Sequence, residues 1–108
     1  MTKITVYKNQ NGDIFAFRAK GHVLNEETDG CIYCAAVSAI TQTACIGLED
    51  VAKAKPEIKI SEADLFVKIP QKKAEDIQCR TIFQTLVLGL QSFDEANPGK
   101  IQIFEEVQ

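Results

Sequence analysis

Apolar residues recur along this chain with two different periods, and the order in which those periods alternate constrains its fold more than any other feature. A period of two places alternate side chains on one side of a strand, whereas spacings of three and four mark one face of a helix. Residues 3 to 8 and 13 to 19 alternate, with Ile4 and Val6 on one face of the first stretch and Phe15 and Phe17 on one face of the second. Asn9-Gln10-Asn11-Gly12 between them tolerates positive φ, which predicts a hairpin. From Ile32 to about Val51 the period changes. Tyr33, Val37, Ile40, Ala44, Leu48 and Val51 predict an amphipathic helix, and the small residues Ala35, Ala36, Ser38 and Ala39 near its start leave room for another backbone. Ile58 and Ile60, then Leu65, Val67 and Ile69, alternate around a turn at Ser61-Glu62-Ala63-Asp64, with Pro56 and Pro70 bracketing this second hairpin. Cys79, Phe83, Leu86, Leu90 and Phe93 predict a second helix from about Gln71 to Asp94, stopped by Pro98-Gly99, and Ile101, Ile103 and Phe104 a last short strand. The order ββαββαβ lacks regular βαβ alternation. It predicts an α+β fold, a mostly antiparallel sheet with two helices packed on one face, in a single domain spanning residues 1–108.

A chain of 108 residues buries roughly 65% of its unfolded surface, enough for one core without disulfides or metal. Its 12 Lys plus Arg against 15 Asp plus Glu give a net charge of -3, with no basic cluster. Direct nucleic-acid binding is therefore not expected, because neutralising phosphates takes Lys and Arg gathered on one face. No apolar run approaches the roughly 18 residues of a membrane span, and Met1-Thr2-Lys3-Ile4 begins a strand pattern rather than a signal peptide, so a cytoplasmic protein without membrane contact is expected. Leu86-Val87-Leu88 and Leu90 put apolar groups on more than one face of the second helix. Either the core stripe is wide or the leftover face is the contact of a homodimer.

The chemistry concentrates in one histidine, His22, and four cysteines, Cys31, Cys34, Cys45 and Cys79. Cys34 falls at the start of the first helix, where backbone N–H groups and the helix dipole favour a thiolate. His22 lies twelve residues earlier, at the far end of the polar segment 21–30, which reads as a mobile loop with Gly21 and Gly30 as its hinges. A loop whose ends converge brings an imidazole to a thiol, the arrangement nucleophilic cysteine catalysis requires. Spacing alone equally allows a buried helix-start cysteine and an unrelated surface histidine. Glu26-Glu27 reads as a solvated loop tip or as a contact for a basic substrate.

Ala19-Lys20-Gly21-His22, followed by Cys34-Ala35-Ala36-Val37-Ser38-Ala39-Ile40-Thr41-Gln42-Thr43 and Gly47-Leu48-Glu49, resembles the ribosomal-processing cysteine proteases of the Prp or YsxB-like family. The resemblance is tight over residues 19 to 49 and loose elsewhere. It implies a bacterial, homodimeric α+β protease with Cys34 as nucleophile and His22 as general base and no cofactor. The implied substrate is the short N-terminal extension of large-subunit ribosomal protein twenty-seven, cut after paired aromatic residues. The family's acidic residue three positions before the nucleophile is Cys31 here, and Asp29 is two residues early, so an orienting-acid role for Asp29 is the weakest part of the carry-over. The N–H groups of Cys34 and Ala35 are natural oxyanion donors. The Ser38 hydroxyl either supports the site or bonds back to the carbonyl of Cys34.

Other readings of the cysteines remain. Cys31-Ile32-Tyr33-Cys34 is a C-x-x-C pair at a helix start, the geometry of a dithiol oxidoreductase, and Cys31 is also a redox partner able to switch a protease off by a disulfide to Cys34. Against a thioredoxin-like site stand the missing βαβ context and the absence of Trp. A zinc site would need Cys45, Cys79 or His22 as further ligands, and Cys45 and Cys79 fall within helix patterns as core residues, so no metal is expected. A non-catalytic binding homologue is the remaining class.

Overall fold

The computed structural model describes residues 1–21 and 32–108. His22, Asp29, Gly30 and Cys31, together with Glu26 and Glu27, lie outside the described residues. The predicted first hairpin is β1 (Thr2–Lys8) and β2 (Ile14–Lys20), joined through Asn9, whose side-chain oxygen accepts the N–H groups of Asn11 and Asp13, and through Gly12 at φ +83°. α1 (Ile32–Ile46) runs on into a wider π-type turn at Gly47–Val51. The second hairpin is β3 (Glu57–Ser61) and β4 (Asp64–Lys68); α2 (Ile77–Ala96) and β5 (Ile101–Val107) complete the order ββαββαβ.

The sheet order is β3-β4-β2-β1-β5, with β5 parallel to β1 and the remaining described pairs antiparallel. Cross-strand register puts Ile4 opposite Ala19 and Ile103, Val6 opposite Phe17, and Phe17 opposite Val67, so one face of the sheet is continuously apolar. Both helices cover that face. Val37, Ala44, Cys45 and Leu48 of α1 and Cys79, Phe83, Leu86 and Leu90 of α2 join Phe17, Val67 and Ile101 in one core, where Phe17 and Phe83 meet edge to face with centroids 6.4 Å apart. The sheet's other face carries Arg18, whose guanidinium lies over the Phe66 ring, and Tyr7, which meets Phe66 edge on.

Four sequence expectations need correction. α2 begins at Ile77 rather than Gln71, because Pro70 and Asp76 are both extended (ψ 138°) and the residues between them make only a short 3₁₀ turn, held down by fully buried Ala74. Val51 is exposed rather than part of the apolar stripe. The π-type turn bonds the Ala52 N–H to the Gly47 carbonyl, five residues back, which slips the 3.6-residue period and turns Ala52 and Ala54 inward in its place. Ile60 stands out in solvent near the tip of the second hairpin although its register places it on the core side of the sheet. Finally, Ile32–Val51 forms a continuous 20-residue helical segment containing an 18-residue stretch of mean hydropathy 1.3, long and apolar enough to cross a membrane by length and composition. The expectation that no run reaches that length missed it, because the polar residues Ser38, Thr41, Gln42 and Thr43 are too mild to interrupt it; here its Val37–Leu48 stripe packs in the core.

Candidate active site

The first turn of α1 is fixed by Tyr33. Its ring packs edge to face on Phe93 of α2, centroids 6.3 Å apart, and the Lys100 ammonium lies 4.8 Å from its centre. One turn on, Val37 is buried in the core and the buried Thr41 hydroxyl donates to its carbonyl at 2.9 Å. With Tyr33 and Val37 anchored, Cys34 takes the position between core and solvent. It is half-buried, packs against the core, and is the third residue of a helix with no acidic residue in its first turn. Ala35 follows it, exposed, in the turn that carries the positive end of the helix dipole.

Cys34 lines an open groove of about 300 Å³ between α1 and the ends of the sheet strands. Ser38 and Gln42 stand on its helix side, one and two turns beyond Cys34. Gly21 and Thr2 close one end, and Ile60, Ala63, Asp64 and Leu65 of the second hairpin form the opposite wall. Gly21 is held on both sides: its N–H donates to the Ala63 carbonyl at 2.8 Å and its carbonyl accepts the Thr2 hydroxyl at 3.0 Å. It also requires glycine, since φ is +99° and a Cβ would meet the Met1 carbonyl oxygen at 2.9 Å. The chain therefore enters the 22–31 segment from a fixed point on the groove that Cys34 lines, and His22 is the next residue.

Asp64 belongs to the hairpin wall by position, but its carboxylate turns to the sheet's other face, where it is engaged. Both its oxygens accept from Arg18, at 2.9 Å from Nε and 2.7 Å from Nη2, and these hydrogen bonds with the adjacent positive charge hold its carboxyl below the usual carboxylate range. A carboxylate committed to a bidentate guanidinium stiffens the hairpin wall and is not disposed to orient an imidazole. The other described cysteines belong elsewhere. Cys45 and Cys79 are buried, and burial, with Glu49 nearby, pushes the Cys45 thiol up to about 11; burial raises Cys79 as well. No cluster of three or more His, Cys, Asp or Glu that could hold a metal ion occurs among the described residues.

Of the residues singled out in the sequence, Gly21, Cys34 and Ser38 come together on the groove, with Ala35 beside them. The sequence reading did not anticipate the hairpin wall. Ile60 and Leu65 looked like ordinary members of a core stripe, and only their place on the folded groove reveals them. Gln42 did carry a signal, since 34, 38 and 42 recur at a spacing of four on one helix face.

The family profile described as cysteine protease Prp matches residues 1–102. Comparison with curated proteins finds no match. Among solved structures, the chain is similar in fold to the essential ribosomal processing protease Prp from S. aureus with a covalently linked product peptide. Their TM-score is 0.87 at 18% identity, over 98% of this chain and 100% of that one. The same protease with a substrate peptide gives 0.84 at 18% identity and the same coverage. A Streptococcus mutans protein, SMU.848, gives 0.85 at 20% identity, over 100% of this chain and 96% of that one. At these identities the structures establish the fold, and the family profile establishes kinship. With its one partly exposed described cysteine at a helix start in an open groove, the chain belongs to the cysteine protease Prp family and is a cysteine peptidase.

Proposed function

We propose that this protein is a ribosomal-processing endopeptidase that removes the short N-terminal extension of large-subunit ribosomal protein twenty-seven, with Cys34 as nucleophile and His22 as general base. The observation that carries the reading is the shared groove: Gly21, immediately before His22, and Cys34, twelve residues after it, line the same cleft. Support also comes from the family profile and from the S. aureus protease, whose structures hold a substrate peptide and a covalently linked product peptide.

In this mechanism His22 takes the Cys34 proton and the sulfur attacks the scissile carbonyl carbon. As the C–S bond forms, the carbonyl oxygen gains negative charge, which the N–H groups of Cys34 and Ala35 at the helix start stabilise. His22 returns the proton to the leaving amine as the C–N bond breaks, then deprotonates a water that hydrolyses the thioester. Ser38, on the same face of α1, supports the site, and ribosomal substrate places the protein in the cytoplasm.

Purified protein is expected to cut a peptide spanning the extension junction. Cys34→Ala is expected to lower kcat/KM by more than about 10³-fold, as removal of a catalytic nucleophile does, and His22→Ala to lower it strongly with Cys34 still present. Cutting that persists in the Cys34→Ala protein would sink the assignment.

The same reading makes the protein a homodimer. A shallow apolar surface formed by Ala39 and Ile40 of α1, Gly47 of the π-type turn, and Ile82, Leu86 and Gly89 of α2 lies between the helices, and a second copy covering it would remove that area from water. Sedimentation is expected to show a dimer for the wild type and a shift toward monomer for Thr85→Lys, at an exposed position on that surface.

A further inference from the structure

We infer that Ile60, near the tip of the second hairpin, is a specificity-determining residue of the protease, the platform on which a bulky apolar side chain of the peptide packs beside Cys34. The inference rests on the peptidase reading of the groove and adds to it the residue that selects the substrate.

A single exposed isoleucine on a protein surface is ordinary and by itself carries nothing. Ile60 differs by its register and its neighbours. On β3 and β4 the pairs Ile58–Val67 and Ile60–Leu65 both point to the helix side of the sheet. The inner pair is covered: Val67 is fully buried and Ile58 half-buried. In the outer pair Leu65 is half-buried against the core but Ile60 is 76% exposed, toward the tip of the hairpin. What remains is a strip of sheet-face apolar surface that neither described helix covers, and the same strip forms the groove wall opposite Ser38 and Gln42. The groove is thus two-sided. Beside Val37, the Ser38 hydroxyl and Gln42 amide on the helix side suit the polar backbone of an extended peptide, and on the hairpin side Ile60 and Leu65, next to Ser61, suit an apolar side chain. The wall is also rigid enough to select. The Gly21 N–H to Ala63 carbonyl bond ties the hairpin turn to the end of β2, and the Arg18 pair holds Asp64. An apolar wall discriminates by the area it covers, so loss of several methyl and methylene groups on either partner costs about tenfold or more in kcat/KM.

The test crosses the enzyme with its substrate. Wild type, Ile60→Ala and Ile60→Asp are assayed on the extension-junction peptide and on versions in which each residue flanking the scissile bond is changed in turn to alanine, with Val107→Ala, an exposed apolar residue on the opposite sheet edge, as control. Ile60→Ala is expected to lower kcat/KM about tenfold on the parent peptide, chiefly through KM, and Ile60→Asp about a hundredfold. On the one peptide that has lost the apolar side chain seated on Ile60, both penalties should largely vanish. The rate of iodoacetamide modification mapped to Cys34 should stay at the wild-type value, since the nucleophile is untouched. Equal kcat/KM for wild type and Ile60→Asp on the parent peptide would overturn the inference while leaving the peptidase assignment standing. So would a penalty that persists on every peptide, or one matched by Val107→Ala. Absence of cutting by the wild type would instead overturn the processing assignment and, with it, this inference.

Discussion

Cys34 and Cys45 lie on the same helix, and the two ends they occupy have opposite surroundings. At the N-terminal end the chain leaves a half-buried sulfur on an open groove, with the positive end of the helix dipole behind it. At the other end Cys45 is buried in the core, and burial with Glu49 nearby pushes its thiol up to about 11, so at neutral pH only about 10⁻⁴ of it is thiolate. One residue type thus meets opposite surroundings according to which end of the helix it stands on. A half-buried thiol on a groove is open to reagents, whereas one enclosed by packing is inert.

The contrast is most directly broken by chemistry on the folded protein. Iodoacetamide at neutral pH is expected to label Cys34 while Cys45 and Cys79 react only through opening of the fold, slower by about 10³-fold or more for a domain with ordinary stability. Mass mapping of the labelled sites checks this, and labelling of Cys45 at the Cys34 rate in native protein would erase the distinction. Next in size is the packing that seals the core end. Phe83 is fully buried and meets Phe17 edge to face, so Phe83→Ala is expected to cost about 3–5 kcal/mol in urea unfolding. The same variant should accelerate labelling of Cys45 and Cys79 far more than that of Cys34, whose exposure does not depend on opening.

How much of this the sequence disclosed follows the same division. The core end was legible because periodicity reports burial: Val37, Ala44, Leu48, Cys79, Phe83, Leu86 and Leu90 were all placed inward by spacing, and all are buried or nearly so. Period fails where backbone geometry changes. The π-type turn moved Val51 outward, and extended Pro70 and Asp76 delayed α2 until Ile77. At the groove end, the position of Cys34 on the first turn was readable from the change of period at Ile32, and the role proposed for it comes from resemblance. The wall of Ile60 and Leu65 was not readable, because alternation says which side of a sheet a residue faces and not whether anything covers it. Asp64 was equally opaque, since its pairing with Arg18 crosses 46 positions of sequence.

A milder test returns to the core end. Cys79→Ser keeps the volume of a fully buried side chain but adds a hydroxyl in apolar surroundings, and is expected to destabilise by about 1–3 kcal/mol. Cys34→Ser, on the groove, should leave the unfolding midpoint almost unchanged while activity is lost. Equal losses of stability in the two variants would show that the ends differ less than their exposure implies.

The smallest effect concerns the groove wall. Arg18 holds the Asp64 carboxyl below its usual range, so ionised Asp64 contributes stability that is present above the ordinary carboxylate value near 3.9. That contribution is lost as pH falls through and below that value, where the carboxyl protonates and the bidentate bond weakens. Asp64→Asn never has it. The stability difference between wild type and Asp64→Asn should therefore be constant from pH 7 to about pH 5 and shrink as pH falls toward 2, measured by urea unfolding at each pH. A difference independent of pH would mean that the amide replaces the carboxylate fully and that the wall is held by the hairpin's backbone pairing alone. A difference that narrows, with kcat/KM of Asp64→Asn reduced at neutral pH, would tie the ion pair to the placement of the surface that faces Cys34.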